Sequence, residues 1–177
     1  MRESTYKIAL GGILSALALL FLFMGGVLPF AEYVGPVLAS VTVSIFASEM
    51  GKKSALLMIL TVDFLAIFLS SNMESAALFV GFLGWYPLLK PWFDKHLKQP
   101  VRFLVKQVFA ATIILVLYTF LIRILGMEQL LEDFGGASLW MNLLNLFIAN
   151  WTFYFYDLML ERFVLAYQLR FRKKFLP

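Results

Sequence analysis

The sequence predicts an all-α, polytopic integral membrane protein with six transmembrane helices and both termini in the cytoplasm. Three observations predict it. The chain is 62% hydrophobic with a mean hydropathy of +0.84, against about 45–50% apolar residues in an ordinary soluble domain. Its 177 residues divide into six apolar runs, and a helix needs about 20 residues to cross the hydrocarbon, so residues 1–177 read as a single six-helix transmembrane domain. Finally, threading those runs through a bilayer puts fourteen of the fifteen Lys and Arg residues on one side.

Span one runs from about Ile8 to Leu28 and stops at Pro29. It is too long for a signal peptide and lacks a small-residue cleavage pattern. Span two covers about Tyr33 to Ser48, with Pro36 placed in its first turn, where a missing N–H costs nothing. Glu49, Gly51, Lys52 and Lys53 form a polar turn before span three, about Ser54 to Leu69. Ser70 to Glu74 make the next turn, and span four, about Ala76 to Leu89, is interrupted by Trp85-Tyr86-Pro87. A basic loop through Lys95, His96, Lys98 and Arg102 leads to span five, about Val105 to Leu125. The acidic stretch 126–137 precedes span six, about Leu139 to Val164, and the tail ends in Arg170, Arg172, Lys173 and Lys174.

With these spans, Arg2, Lys7, Lys52, Lys53, Lys90, Lys95, Lys98, Arg102, Lys106, Arg162 and the tail cations share one side. Arg123 alone lies opposite, with Glu32, Glu74, Glu128, Glu132 and Asp133. Basic residues in short loops stay in the cytoplasm during insertion, which makes both ends cytoplasmic and the number of spans even. The net charge of +4 therefore reflects topology and does not point to nucleic acid.

No cysteine is present, which excludes disulfides, thiolate metal sites and a cysteine nucleophile. His96 sits in the basic loop with no partner at metal-ligand spacing, and reads as a solvated residue. No phosphate-cradling loop, nucleophile elbow or paired-histidine motif occurs. No catalytic residue, cofactor or metal is expected, and the chain does not read as an enzyme.

Four groups of residues stand out. Asp63, nine residues into span three, is about 14 Å deep at 1.5 Å per residue; a charge there costs at least ~2.5 kcal/mol. It reads either as a coupling or substrate group or as a carboxyl clamping span two through Ser40, Thr42 or Ser44. Asp157 and Glu161, one turn apart near Arg162, suggest a salt bridge or interface anchor. On the outer side Arg123, Trp140, Asn142 and Asn145, with Asn72, Glu74, Glu32 and Tyr33 from two loops, converge in expectation on a pocket for a small anionic or amide solute. The opposing reading has Arg123 snorkelling and the asparagines bonding helix to helix. Small residues form stripes at Ala9, Gly12 and Ala16 on span one and at Ala77, Gly81 and Gly84 on span four, permitting close helix approach in lipid, within the chain or against a partner.

The start Lys7-Ile8-Ala9-Leu10-Gly11-Gly12-Ile13-Leu14-Ser15-Ala16-Leu17-Ala18, six short spans and a proline-bearing second segment resemble the S components, the substrate-binding subunits of energy-coupling factor (ECF) transporters. The segment Gly81-Phe82-Leu83-Gly84-Trp85-Tyr86-Pro87-Leu88-Leu89-Lys90 is similar to a Gly-Tyr-Tyr-Pro-(Ile/Leu)-(Ile/Leu)-Lys segment of small bacterial proteins of that kind. The resemblance implies vitamin or micronutrient uptake across the bacterial cytoplasmic membrane. It also implies a transmembrane coupling subunit and a pair of ABC ATPases on separate chains. The family's Ala-x-x-x-Ala contact with the coupling subunit is matched by Gly12-x-x-x-Ala16, with Ala9 a turn earlier. The substrate stays open, because the family's vitamin-contacting residues have no counterpart here. The alternative is a non-transporting scaffold that binds anionic lipid or a cytoplasmic partner through its basic loops and tail.

Overall fold

The computed structural model describes residues 2–28, 31–124, 126 and 139–169. The described residues are helical and include no strand. The helices are α1 (Arg2–Met24), α2 (Ala31–Met50), α3 (Lys52–Leu69), α4 (Met73–Leu78), α5 (Tyr86–His96), α6 (Val101–Arg123) and α7 (Leu139–Tyr167), with a π-helical stretch, Phe79–Leu83, between α4 and α5. Three of them, α1, α2 and α6, are long and apolar enough to cross a membrane. In α3 the three charges Lys52, Lys53 and Asp63 break the apolar run, and in α7 three asparagines, Asn142, Asn145 and Asn150, do so. Helices α4 and α5, with 6 and 11 residues, are too short.

Several boundaries differ from the sequence reading. Helix α1 starts before Ile8 and ends at Met24 rather than Leu28, since Gly25-Gly26 is a poor continuation of a helix. Pro36 is not in a first turn: α2 begins at Ala31, so Pro36 lies inside it and removes the amide that would reach back to Glu32. The polar turn at Gly51 is as tight as expected. Its φ of 78° is a left-handed conformation open mainly to glycine, and its N–H donates to Ala47 O at 3.0 Å.

Expected span four is the largest departure. The Gly84 N–H donates to Phe79 O at 2.8 Å, five residues back, so the helix widens into a π turn. Trp85-Tyr86-Pro87 then opens α5 instead of ending a span, and α5 carries the chain through Pro91 to His96, so the first part of the expected basic loop is helical.

The chain forms two compact units, Met1–Trp92 with Met159–Pro177, and Phe93–Leu158. The core of the first unit joins Leu14, Ala18 and Leu22 of α1, Ala39, Val43 and Phe46 of α2, and Ala55, Met58, Ile59, Val62 and Ala66 of α3, with Phe79. In the second, Phe93 meets Phe109, and Phe103 meets Tyr154, at centroid distances of 5.2 and 5.7 Å. Large apolar side chains also cover the outside: Ile8, Phe64, Phe68, Val108 and Phe147 are all exposed, a surface that water does not favour.

Helix α1 meets α2 backbone to backbone. A Cβ added to Gly35 would lie 2.5 Å from Phe21 O, whereas one added to Gly12 would meet nothing within 4 Å. Gly35→Ala is therefore expected to destabilise the protein by about 2 kcal/mol, because a main-chain oxygen cannot rotate aside, while Gly12→Ala is neutral or slightly stabilising. Thermal unfolding of the two variants in the same detergent checks this.

Candidate functional site

Four of the residues expected to converge do meet. Asn72 caps α4: its Oδ1 accepts from Glu74 N at 2.8 Å and Ser75 N at 3.1 Å, and its Nδ2 donates to Glu32 Oε1 at 2.9 Å. The Tyr33 hydroxyl donates to Glu74 Oε1 at 3.3 Å. Glu32 and Glu74 each occupy a first helical turn, where the helix dipole favours a carboxylate. The cluster therefore ties the start of α2 to the start of α4. Asn72 and the buried Glu74, expected at the ligand pocket, are engaged in this capping network.

The remaining expected ligand contacts belong to the second unit. Arg123 is exposed at the last position of α6, Trp140 is 82% exposed, and Asn145 is half-buried. Asn142 lies in α7 with its side chain outside the described atoms; Glu128, Glu132, Asp133 and the four tail cations lie outside the described residues. A groove of about 730 Å³ between α6 and α7 is lined by residues outside the expected ligand contacts, among them Phe103, Gln107, Phe147 and Trp151. Arg123, Trp140 and Asn145 are absent from its lining.

Asp63 is buried in α3, and its Oδ2 accepts from the indole Nε1 of Trp85 at 3.1 Å. This replaces the expected clamp to span two: Ser40 and Thr42 donate instead to Val37 O and Ala39 O of their own helix, each at 2.7 Å. Asp63 Oδ1 is buried with no partner. The indole is supplied by the Gly-Trp-Tyr-Pro segment, whose tryptophan was visible in the sequence but not its partner. Trp85→Phe leaves both carboxyl oxygens without a donor and is expected to cost about 2 kcal/mol. Because Asp63→Leu removes the polar group as well, the double variant should lose less than the sum of the two single changes, as measured in a double-mutant cycle by unfolding in detergent.

Asp157 is a salt-bridge residue, with a different partner from Arg162. Lys106 Nζ lies 3.0 Å from Asp157 Oδ2 and 2.6 Å from Asp94 Oδ1, and Arg102 lies 3.7 Å from Asp94. Glu161 faces Lys90 at 3.8 Å. Lys106 is buried, so its ammonium joins α5, α6 and α7 through two carboxylates. Lys106→Met removes the buried ammonium from between the two acids and is expected to cost at least 3 kcal/mol. Adding Asp94→Asn and Asp157→Asn should recover much of that loss, as read from the same unfolding midpoint.

Ala9, Gly12 and Ala16 are all exposed on α1. The core face of that helix is the opposite one, carrying Leu14, Ala18 and Leu22, with Gly11 set against the Phe46 ring. The second expected stripe does not form: Gly81 is exposed and Gly84 buried, because the π turn breaks the 3.6-residue period that would align them with Ala77. No known protein family, no curated protein and no solved structure matches this chain.

Proposed function

We propose that this chain is the substrate-binding subunit of an ECF-type uptake transporter in the bacterial cytoplasmic membrane. On this reading it is a multi-pass protein of six spans with both termini inside, and it works with a coupling subunit and ABC ATPases supplied by separate chains. The observation that carries the reading is the bare stripe on α1. Ala9, Gly12 and Ala16 are exposed, and the position of a Gly12 Cβ is empty to 4 Å. Small residues are costly to leave facing lipid when larger ones would pack better, and they are what a membrane helix presents to another helix that must come close. The resemblance of this segment to the coupling-subunit contact of S components supports giving that helix to a partner.

The solute is captured at the outer face, where Arg123 supplies the cation and Asn142, Asn145 and Trp140 supply amides and an aromatic wall. Asn72 and Glu74 hold the cap between α2 and α4 in place. Asp63 with Trp85 is a packing pair in this scheme and takes no chemical part.

Gly12→Leu should abolish co-purification with an ATP-hydrolysing membrane complex and abolish solute uptake, while the unfolding temperature stays within a degree or two because nothing in this chain is displaced. Association and uptake both surviving Gly12→Leu would end the docking assignment. Deleting the tail from Arg170 should weaken uptake less than Arg123→Ala does; the reverse order would favour the scaffold reading.

A further inference from the structure

The α6–α7 groove has the dimensions and charge layout of a lipid site. One wall is Phe103 and Gln107 on α6; the other is Leu143, Phe147, Trp151 and Tyr154 on α7. From Leu143 to Tyr154 is eleven residues (154 − 143), about 16 Å at 1.5 Å per residue. That is one leaflet, half of a hydrocarbon core about 30 Å thick. The interior offers a ligand little to bond. Gln107 donates its Nε2 to Asn150 O at 3.3 Å, and its Oε1 is buried without exposed surface. Among the described residues no charged one lines the groove.

Charge is confined to one end. Gln99 lines the groove there, next in the chain to Lys98, and both Lys95 and Lys98 are exposed. The nearby carboxylate, Asp94, is already neutralised by Lys106 at 2.6 Å. An apolar slot one leaflet long, with exposed Lys98 next in the chain to its lining residue Gln99 and exposed Lys95 three residues earlier, matches one class of molecule. We infer that the groove binds an anionic glycerophospholipid, one acyl chain lying against Phe103, Phe147 and Trp151 and the phosphate at Lys98 and Lys95. This rests on the membrane-spanning part of the reading above and not on transport.

The test uses the full-length protein purified in detergent and exposed to equimolar phosphatidylglycerol and phosphatidylcholine of identical chains, with retained lipid read by native mass spectrometry. The wild type should retain phosphatidylglycerol preferentially. Lys95→Gln and Lys98→Gln should each reduce that preference about fivefold, and Leu146→Trp, which fills the groove, should remove both lipids. Equal retention of the two lipids by the wild type overturns the inference, as does a preference that survives Leu146→Trp. So does a lipid-free dimer that Leu146→Trp dissolves, since a second copy of the chain would then occupy the groove. A measurement on protein without a filled groove guards against misfolding of that variant. Phosphatidylglycerol brominated in its chains should quench tryptophan fluorescence more than the matching phosphatidylcholine, and Trp151→Phe should erase the difference. An unchanged difference in Trp151→Phe places the lipid elsewhere and overturns the assignment. Loss of transport in any assay leaves these readouts untouched.

Discussion

A helix pair in hydrocarbon gains little by burying leucine against leucine, because the surrounding chains are equally apolar. What holds the first unit is contact at close range, as at Gly35, where an added Cβ would lie 2.5 Å from the Phe21 carbonyl oxygen. With the side chain absent at that crossing, α1 and α2 approach until their backbones touch. Leu14, Ala18 and Leu22 then fit against Ala39, Val43 and Phe46, and α3 completes the core. The orientation of α1 follows from the same contact: once Gly11 and Gly35 face inward, Ala9, Gly12 and Ala16 are turned outward.

Polar groups then pin what shape alone leaves free. Each pin uses a donor that would be costly to strand away from water: the Asn72 amide between Glu32 and the first amides of α4, the Trp85 indole on Asp63, the Lys106 ammonium between Asp94 and Asp157. Their energies come less from attraction than from the penalty of opening them. In a medium without competing water a broken pair finds no replacement partner, so each of these small contacts fixes the register of the elements it joins.

Much of this was legible in the residues and some was not. The edges of α3 were readable to within two residues because Gly51 and Ser70 bracket it. The convergence of Glu32, Tyr33, Asn72 and Glu74 was also readable, since all four lie at the same ends of adjacent runs. Which glycine packs inward was not: Gly12 and Gly35 look alike in sequence, and only the crossing of α1 and α2 distinguishes them. Lys106 passed as one more cytoplasmic cation because its partners are 12 and 51 residues away. Helical periodicity itself misled at Phe79–Leu83, where one turn holds an extra residue and every position beyond it shifts face. Of the expected ligand contacts, Arg123 and Trp140 are exposed near helix ends, and the groove was missed because its wall combines two runs far apart in the chain.

The widened turn also makes this segment sensitive to length in a way that composition hides. A one-residue deletion between Phe79 and Leu83 would remove the extra residue and leave everything after it on its present face, whereas regular winding over the unchanged length, at about 100° per residue, would swing everything after it by about that angle. Trp85 would leave Asp63 although neither residue had changed. Homologues with a regular helix here would therefore have to compensate elsewhere, with a different donor for the carboxyl or with no carboxyl at all.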